Sequence, residues 1–239
     1  MRTCALLALC LSVFATSASA ITGELSIQAC PGDASATQAL DLDCAGGGSV
    51  ALFGVFATSI DFPDLVALEG ILEIGLANST LAESPFWDFQ SGNRFSVHER
   101  RPAQGCADYV DIWNEAGSQS AFVFRQIGPA ALQIELACAR STSTPVTAGE
   151  KLFGFQAVVD MGDATQAGGG FAGCPAPLEI DWMSVSAESW SGNSTDEYGV
   201  CHLPPTYCTP KPPLSKVLFN GTAVPTLPRS WGRLKSLYR

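Results

Sequence analysis

Histidine is almost missing from this chain: His98 and His202 are the only two in 239 residues. That scarcity removes most routes to zinc, which wants His or Cys ligands at fixed spacing, and no pair of C-x-x-C knuckles compensates. It leaves a Ser-His-Asp arrangement only His98 or His202, neither in a motif. His98 sits among Glu99, Arg100 and Arg101, the setting of a solvated strand end. There is no G-x-S-x-G elbow, no H-E-x-x-H, no phosphate-binding glycine loop and no dinucleotide fingerprint. After the N-terminus no apolar run approaches the roughly 20 residues that span a bilayer, so no transmembrane segment is expected. These absences argue against most familiar enzyme chemistries and predict a non-enzyme without a required cofactor.

Charge is missing by region. All 23 acidic residues lie between Glu24 and Glu197, beside only six basic ones, which gives that body a net charge of −17. From His202 onward there is no acid and there are six bases: Lys211, Lys216, Arg229, Arg233, Lys235 and Arg239. The body should repel nucleic acid and anionic membranes, while the C-terminal part should be drawn to anionic surfaces.

The N-terminus has the three parts of a secretory signal peptide. Arg2 supplies the positive region, Ala5 to Ala15 is uncharged and apolar, and Ala18-Ser19-Ala20 offers small residues for cleavage. Residues 1–20 are therefore expected to be removed, leaving Ile21 first in an extracytoplasmic protein. A lipoprotein reading fails because Leu9 is too large before Cys10. Export suits the cysteines. Seven lie beyond the signal (Cys30, Cys44, Cys106, Cys138, Cys174, Cys201 and Cys208), and an oxidising compartment should pair most of them. An odd count leaves at least one free or paired between chains. Connectivity does not follow from spacing, and local pairs Cys30–Cys44, Cys106–Cys138 and Cys201–Cys208 are the expectation.

Between the breakers Gly46-Gly47-Gly48, Asp61-Phe62-Pro63-Asp64, Ser91-Gly92-Asn93 and Gly168-Gly169-Gly170 run short apolar segments. In residues 66–74, Val66, Leu68, Leu72 and Ile74 share one face and Glu69 and Glu73 the other. Residues 132–136 repeat the pattern. A period of two means a strand with one buried and one wet face. Residues 52–56, 122–124, 152–159 and 178–182 also read as strands on their β-branched and aromatic content. No amphipathic helix of ordinary length appears. The expected fold is all-β: an antiparallel two-sheet sandwich over residues 21–201. Leu203-Pro204-Pro205 and Pro210-Lys211-Pro212-Pro213 then read as an extended linker over 202–228, with 214–219 a candidate edge strand. A short basic tail, 229–239, carries Trp231, Leu234, Leu237 and Tyr238 among Arg233, Lys235 and Arg239. It is expected to dock on an anionic surface or sorting machinery.

Two resemblances add to this. The amphipathic strand near 66–76, the following Phe86-Trp87-Asp88-Phe89, and the Gly149-Glu150 turn into strand 152–159 resemble cohesin-type and related carbohydrate-binding β-sandwiches of secreted bacterial proteins. The likeness covers about residues 23–190 and implies a jelly roll. The stretch Ala29-Cys30-Pro31-Gly32-Asp33-Ala34-Ser35 and the terminal Ser230–Arg239 peptide resemble an uncharacterised family of secreted bacterial proteins with such a tail. That family has no activity to carry over.

Ligand chemistry concentrates in two aromatic loops. Residues 108–115 combine Tyr109, Asp111 and Trp113 with Asn114 and Glu115, and residues 190–198 combine Trp190 and Tyr198 with an amide and carboxylates. Rings flanked by polar groups suit sugar faces; equally, such rings plug the rim of a sandwich. Calcium is a candidate ligand at Asp160 and Asp163, or at Asp41 and Asp43, although neither has EF-hand spacing. The carboxylates Glu69 and Glu73 read as a soluble strand face, although a pair of carboxylates is also all a glycosidase needs. Sequons occur at Asn78, Asn193 and Asn220. Three readings follow. The first is a non-catalytic surface interaction or assembly module whose partner is a protein or glycan. The second is a carbohydrate-binding module, and the third a secreted hydrolase with an unrecognised carboxylate site.

Overall fold

The computed structural model describes residues 21–90, 94–103, 105–165, 172–190, 194–198 and 215–221. Over these the regular secondary structure is nearly all strand: β1 Ile21–Ile27, β2 Ala39–Leu40, β3 Ser49–Thr58, β4 Phe62–Leu76, β5 Phe95–His98, β6 Gln119–Gly128, β7 Ala131–Val146, β8 Leu152–Asp160, β9 Leu178–Ser189, β10 Ser194–Tyr198 and β11 Ser215–Phe219. Two short 3-10 turns, Pro85–Trp87 and Gly162–Thr165, are the only helical elements among the described residues. No described helix is long and apolar enough to cross a membrane.

Two sheets pack face to face, as the strand periodicity predicts. The smaller has the order β1-β3-β8-β5; the larger has β2-β11-β9-β4-β7-β6, with β10 also on β9. Pairing is antiparallel except for the two-residue contact of β11 with β2. In β7, Leu132, Ile134, Leu136 and Cys138 turn inward, and β4 contributes Leu68, Leu72 and Ile74. The β-branched, leucine and aromatic side chains of both inner faces form one core that includes Trp87, Trp182, Phe155 and Phe219. Gly54 is required there: a Cβ would come within 2.3 Å of the Phe155 ring.

The periodicity of 66–74 carries one error. Val66 was expected on the buried face, but it is half-buried and Leu65 is buried instead. Register shifts on either side of Leu65 flip the alternation: Leu65 pairs with Thr144 while Ala67 pairs with Ala139. The extra residues of β7, from Arg140 to Ser143, bulge out of the ladder at this point.

The larger change concerns the segment after the prolines. Residues 214–219, expected as a candidate edge strand within the linker, do form a strand over Ser215–Phe219, but it is inserted between β2 and β9 and not at an open edge, with Val217 and Phe219 buried. Five consecutive register pairs, Ser215↔Trp182 to Phe219↔Leu178, bind it to β9. The sandwich therefore continues past residue 201 to at least Asn220.

The disulfides are long-range, not local. Cys30 joins Cys106 and Cys44 joins Cys174, closing separations of 76 and 130 residues. This corrects the expected pairs Cys30–Cys44 and Cys106–Cys138. Cys138 is a free, buried thiol on the inner face of β7. Cys201 and Cys208 lie outside the described residues, as do the signal segment and the tail residues Trp231, Arg233, Leu234, Lys235, Leu237 and Tyr238.

Candidate functional site

The aromatic loop 108–115 is committed to packing. Trp113 is fully buried and donates its indole N–H to the Phe153 carbonyl at 2.9 Å. Tyr109 is buried and donates its hydroxyl to the Pro31 carbonyl at 2.9 Å. The same segment is tied to residues 30–33 by the Cys30–Cys106 disulfide and by the Cys106 N–H, which donates to Asp33 Oδ2 at 2.8 Å. Backbone bonds of Val110 with Lys151 and Phe153, at 2.9 and 3.0 Å, add the loop to the start of β8.

Its polar groups are used in the same way. Asp111 accepts from the backbone N–H of Arg101 and of Trp113 at 3.3 and 3.1 Å. Arg101 in turn donates Nη1 to the carbonyls of Cys106 and Tyr109. Glu115 reaches the β7 bulge. It accepts from the Ser141 N–H and hydroxyl, from the Thr142 N–H and hydroxyl, and pairs with Arg140 at 3.2 Å. These hydrogen bonds, the Thr142 hydroxyl foremost, hold its carboxyl down to about 2. The rings and carboxylates that looked like a sugar platform are thus a rim plug with its hydrogen bonds satisfied internally.

Trp190 is different. It directly follows β9 with 71% of its surface exposed, anchored through its backbone N–H to the Asp64 carbonyl. The side chain of Tyr198, its expected companion, lies outside the described residues.

The calcium candidates do not converge. Asp160 Oδ1 accepts from the Gly162 N–H at 2.8 Å, and Asp43 Oδ1 from those of Ala45 and Gly46, so both carboxylates close their own turns. The side chain of Asp163 lies outside the described residues. Among the described residues no group of three or more His, Cys, Asp or Glu is placed to hold a metal ion.

Sequence reasoning missed a groove of about 540 Å³ on the outer face of the larger sheet. It crosses β9, β4, β7 and β6. Register places its side chains in rows. Ser186, Glu69, Ala137 and Ala121 form one row, and Ser184, Ile71, Glu135 and Val123 the next. Small side chains at Ala121, Ala137, Ser184 and Ser186 give the depth, and Val123 is 58% exposed. Glu188, in line with Ala67, completes a set of three lining carboxylates. The available signal was the outward Glu69 with Glu135, read as a merely soluble face. Below the groove Asp181, beside Glu73 on β4 and Lys216 on β11, is pushed up to about 7. Burial is the main cause; the charge of Glu179 and a hydrogen bond with it come next, and Lys216 opposes. Lys216 itself pairs with Glu179 at 3.5 Å.

Compared with models of known protein families and with curated proteins, the chain matches none.

Proposed function

We propose that this is an extracytoplasmic, non-catalytic interaction module, and that its binding face is the outer face of the larger sheet. The observation that carries this is the groove itself: an open channel floored by Ala121, Ala137, Ser184 and Ser186 and lined by Glu69, Glu135 and Glu188. Long-range disulfides support the oxidising compartment, and a two-sheet sandwich is the architecture that the cohesin-type resemblance implies. Glu69 is exposed and Glu135 has Arg125 at 3.3 Å, an arrangement suited to contact. The basic tail, 229–239, serves in this reading as a sorting or docking element. Its removal should leave the melting temperature unchanged and release the protein from its site.

The exposed ring of Trp190 favours a second reading, in which the ligand is a glycan that stacks on it. One experiment separates the two. Labelled mature protein is incubated with envelopes of the cells that produce it and, in parallel, with a glycan array. Saturable envelope binding that survives Trp190→Ala supports the module with a sheet-face site. Array binding abolished by Trp190→Ala supports the glycan reading. Absence of saturable binding in both formats contradicts the proposal.

A further inference from the structure

The two sides of the sandwich are finished differently. On one side β1 is joined to the larger sheet: its Leu25 N–H donates to the Ser215 hydroxyl of β11 at 2.9 Å. On the other side the edge strands are β5 and β6. β5 has four residues and β6 has ten, so β5 matches less than half of it. They are tied near the start of β6, where the Ser120 hydroxyl donates to the Val97 carbonyl at 2.8 Å. Among the described residues β7 is the one strand that pairs with β6, and the opposite edge of β6 carries a row of backbone groups with no strand beside it.

Natural sheets blunt such an edge with proline, lysine, a short strand or a bulge. From Gln119 to Gln126 the strand has neither proline nor lysine, and its register shift lies at the far end, between Gln126 and Gly128. Its one charge, Arg125, is drawn back to Glu135 of β7 at 3.3 Å. Apolar side chains accompany the edge instead. Val123 and Ile127 are exposed on the outer side, and Phe122 and Phe124 are only half-buried on the inner side. Those two rings are the outer margin of an aromatic cluster whose other members, Phe89 and Phe95, are buried; Phe95 lies 5.4 and 5.6 Å from them between centroids.

Charge and sequence favour one occupant. Residues 116–134 hold no acid, the longest such stretch between Glu24 and Glu197. Two copies of a body charged −17 repel least where they meet across it. Phe122-Val123-Phe124 also reads the same in both directions. A symmetric contact between identical chains needs a patch complementary to itself. An antiparallel pair of β6 strands centred on Val123 supplies one. Val123 faces its counterpart on the outer side, each Phe122 faces a Phe124 on the inner side, and each Arg125 faces an Ala121, so that no like charges meet.

We infer that the protein pairs with a second copy of itself through β6, the two larger sheets joining into one across a two-fold axis at Val123. The pairing satisfies the open backbone groups of both edges and carries the aromatic cluster from one copy into the other. It also makes the two outer faces one surface, with the grooves side by side. No groove ligand is needed for it, so it stands or falls apart from the sheet-face reading.

Sedimentation velocity of the full mature chain over a range of concentrations is the test. The wild type should form a reversible dimer. Val123→Lys sets two cations opposite each other and should weaken that dimer by about tenfold or more, while Ile60→Lys, the same change at an exposed apolar residue of the β3–β4 turn, should alter it by less than about twofold. Val123→Lys and Val123→Glu, each monomeric alone, should form a mixed dimer when combined. A wild type that stays monomeric at about 100 µM overturns the inference. So does a dimer that Val123→Lys leaves intact, an equal loss in Ile60→Lys, or a failure of the two Val123 variants to recombine. If dimers form only after residues 222–239 are deleted, the edge is filled by the chain's own C-terminal segment, and the second copy is overturned as its occupant. Melting curves confirm that the variants are folded. Should one not fold, hydrogen exchange of the wild type decides: the amides of Ala121–Arg125 should slow as concentration rises, and exchange independent of concentration overturns the pairing.

Discussion

Leu42 donates its backbone N–H to Asn220 Oδ1 at 2.8 Å, across 178 residues of sequence. The other end of the same amide donates to the carbonyls of Cys174 and Ala176 at 2.6 and 3.3 Å. Asn220 also adopts a left-handed backbone conformation, with φ of 54°, that asparagine tolerates better than most residues. One side chain thus laces the end of β11 to the two segments that the Cys44–Cys174 disulfide joins.

Two outcomes follow for this sequon. Asn220 should carry no glycan, because its amide nitrogen is already donating within the fold; the exposed Asn78 has no such restriction. Asn220→Ala should destabilise by about 1–3 kcal/mol, the cost of stranding partly buried backbone groups. Peptide mapping and denaturant titration check the two. A glycan on Asn220 in folded protein would contradict the placement of β11.

Glu115 gives an acid-sensitive element. Its carboxyl is held at about 2, against 4.5 ordinarily, chiefly by the Thr142 hydroxyl. A depressed folded value means that its stabilisation is present above about pH 4.5 and is lost as pH falls toward 2. Glu115→Gln should therefore melt lower than wild type at pH 7, and the two curves should converge near pH 2. Parallel curves across that range would show that the carboxylate does not hold the bulge.

Asp181 acts in the opposite sense. Burial first, then the Glu179 charge, raises it from 3.8 to about 7. A raised folded value means that its favourable contribution is complete below about pH 4 and disappears as pH rises through about 7. Asp181→Asn, which cannot ionise, should melt a few degrees higher than wild type at pH 8 and about equally at pH 4. A variant less stable at pH 8 would mean that the ionised form is the one the Lys216 side of the sheet favours.

The disulfides should map by non-reducing digestion as Cys30–Cys106 and Cys44–Cys174. Replacing either pair with alanines should cost about 2–5 kcal/mol. Cys138, buried and pushed up to about 12 by its surroundings, should resist alkylation until the protein unfolds. Rapid labelling of Cys138 in native protein would place β7 the wrong way round.

Much of the architecture was legible because burial writes a period of two into strands such as 132–136 and leaves turn residues between them. What was not legible has identifiable causes. The β7 bulge depends on Glu115, a side chain 26 residues from Ser141, and so no local pattern could locate the flip at Leu65. Cysteine spacing carries no distance information once strands have crossed between sheets, which is why the local pairings failed. A tryptophan flanked by carboxylates reads the same whether its ring faces a ligand or a core; Trp113 and Trp190 differ only in what the rest of the fold places over them. The depth of the groove comes from alanines and serines of three strands, β6, β7 and β9. Their significance lies in register, which a one-dimensional reading of Glu69 and Glu73 does not contain.

Ala137 offers the most direct test of the sheet face, because it lies on the groove floor in the row of Glu69 and Ala121 and carries no charge. Ala137→Trp fills the channel while leaving every carboxylate in place. Saturable binding of the labelled mature protein to envelopes of its producing cells should then be lost, with the melting temperature within a few degrees of wild type. Undiminished binding by a folded Ala137→Trp variant would show that the outer face of the larger sheet is not where this protein meets its partner.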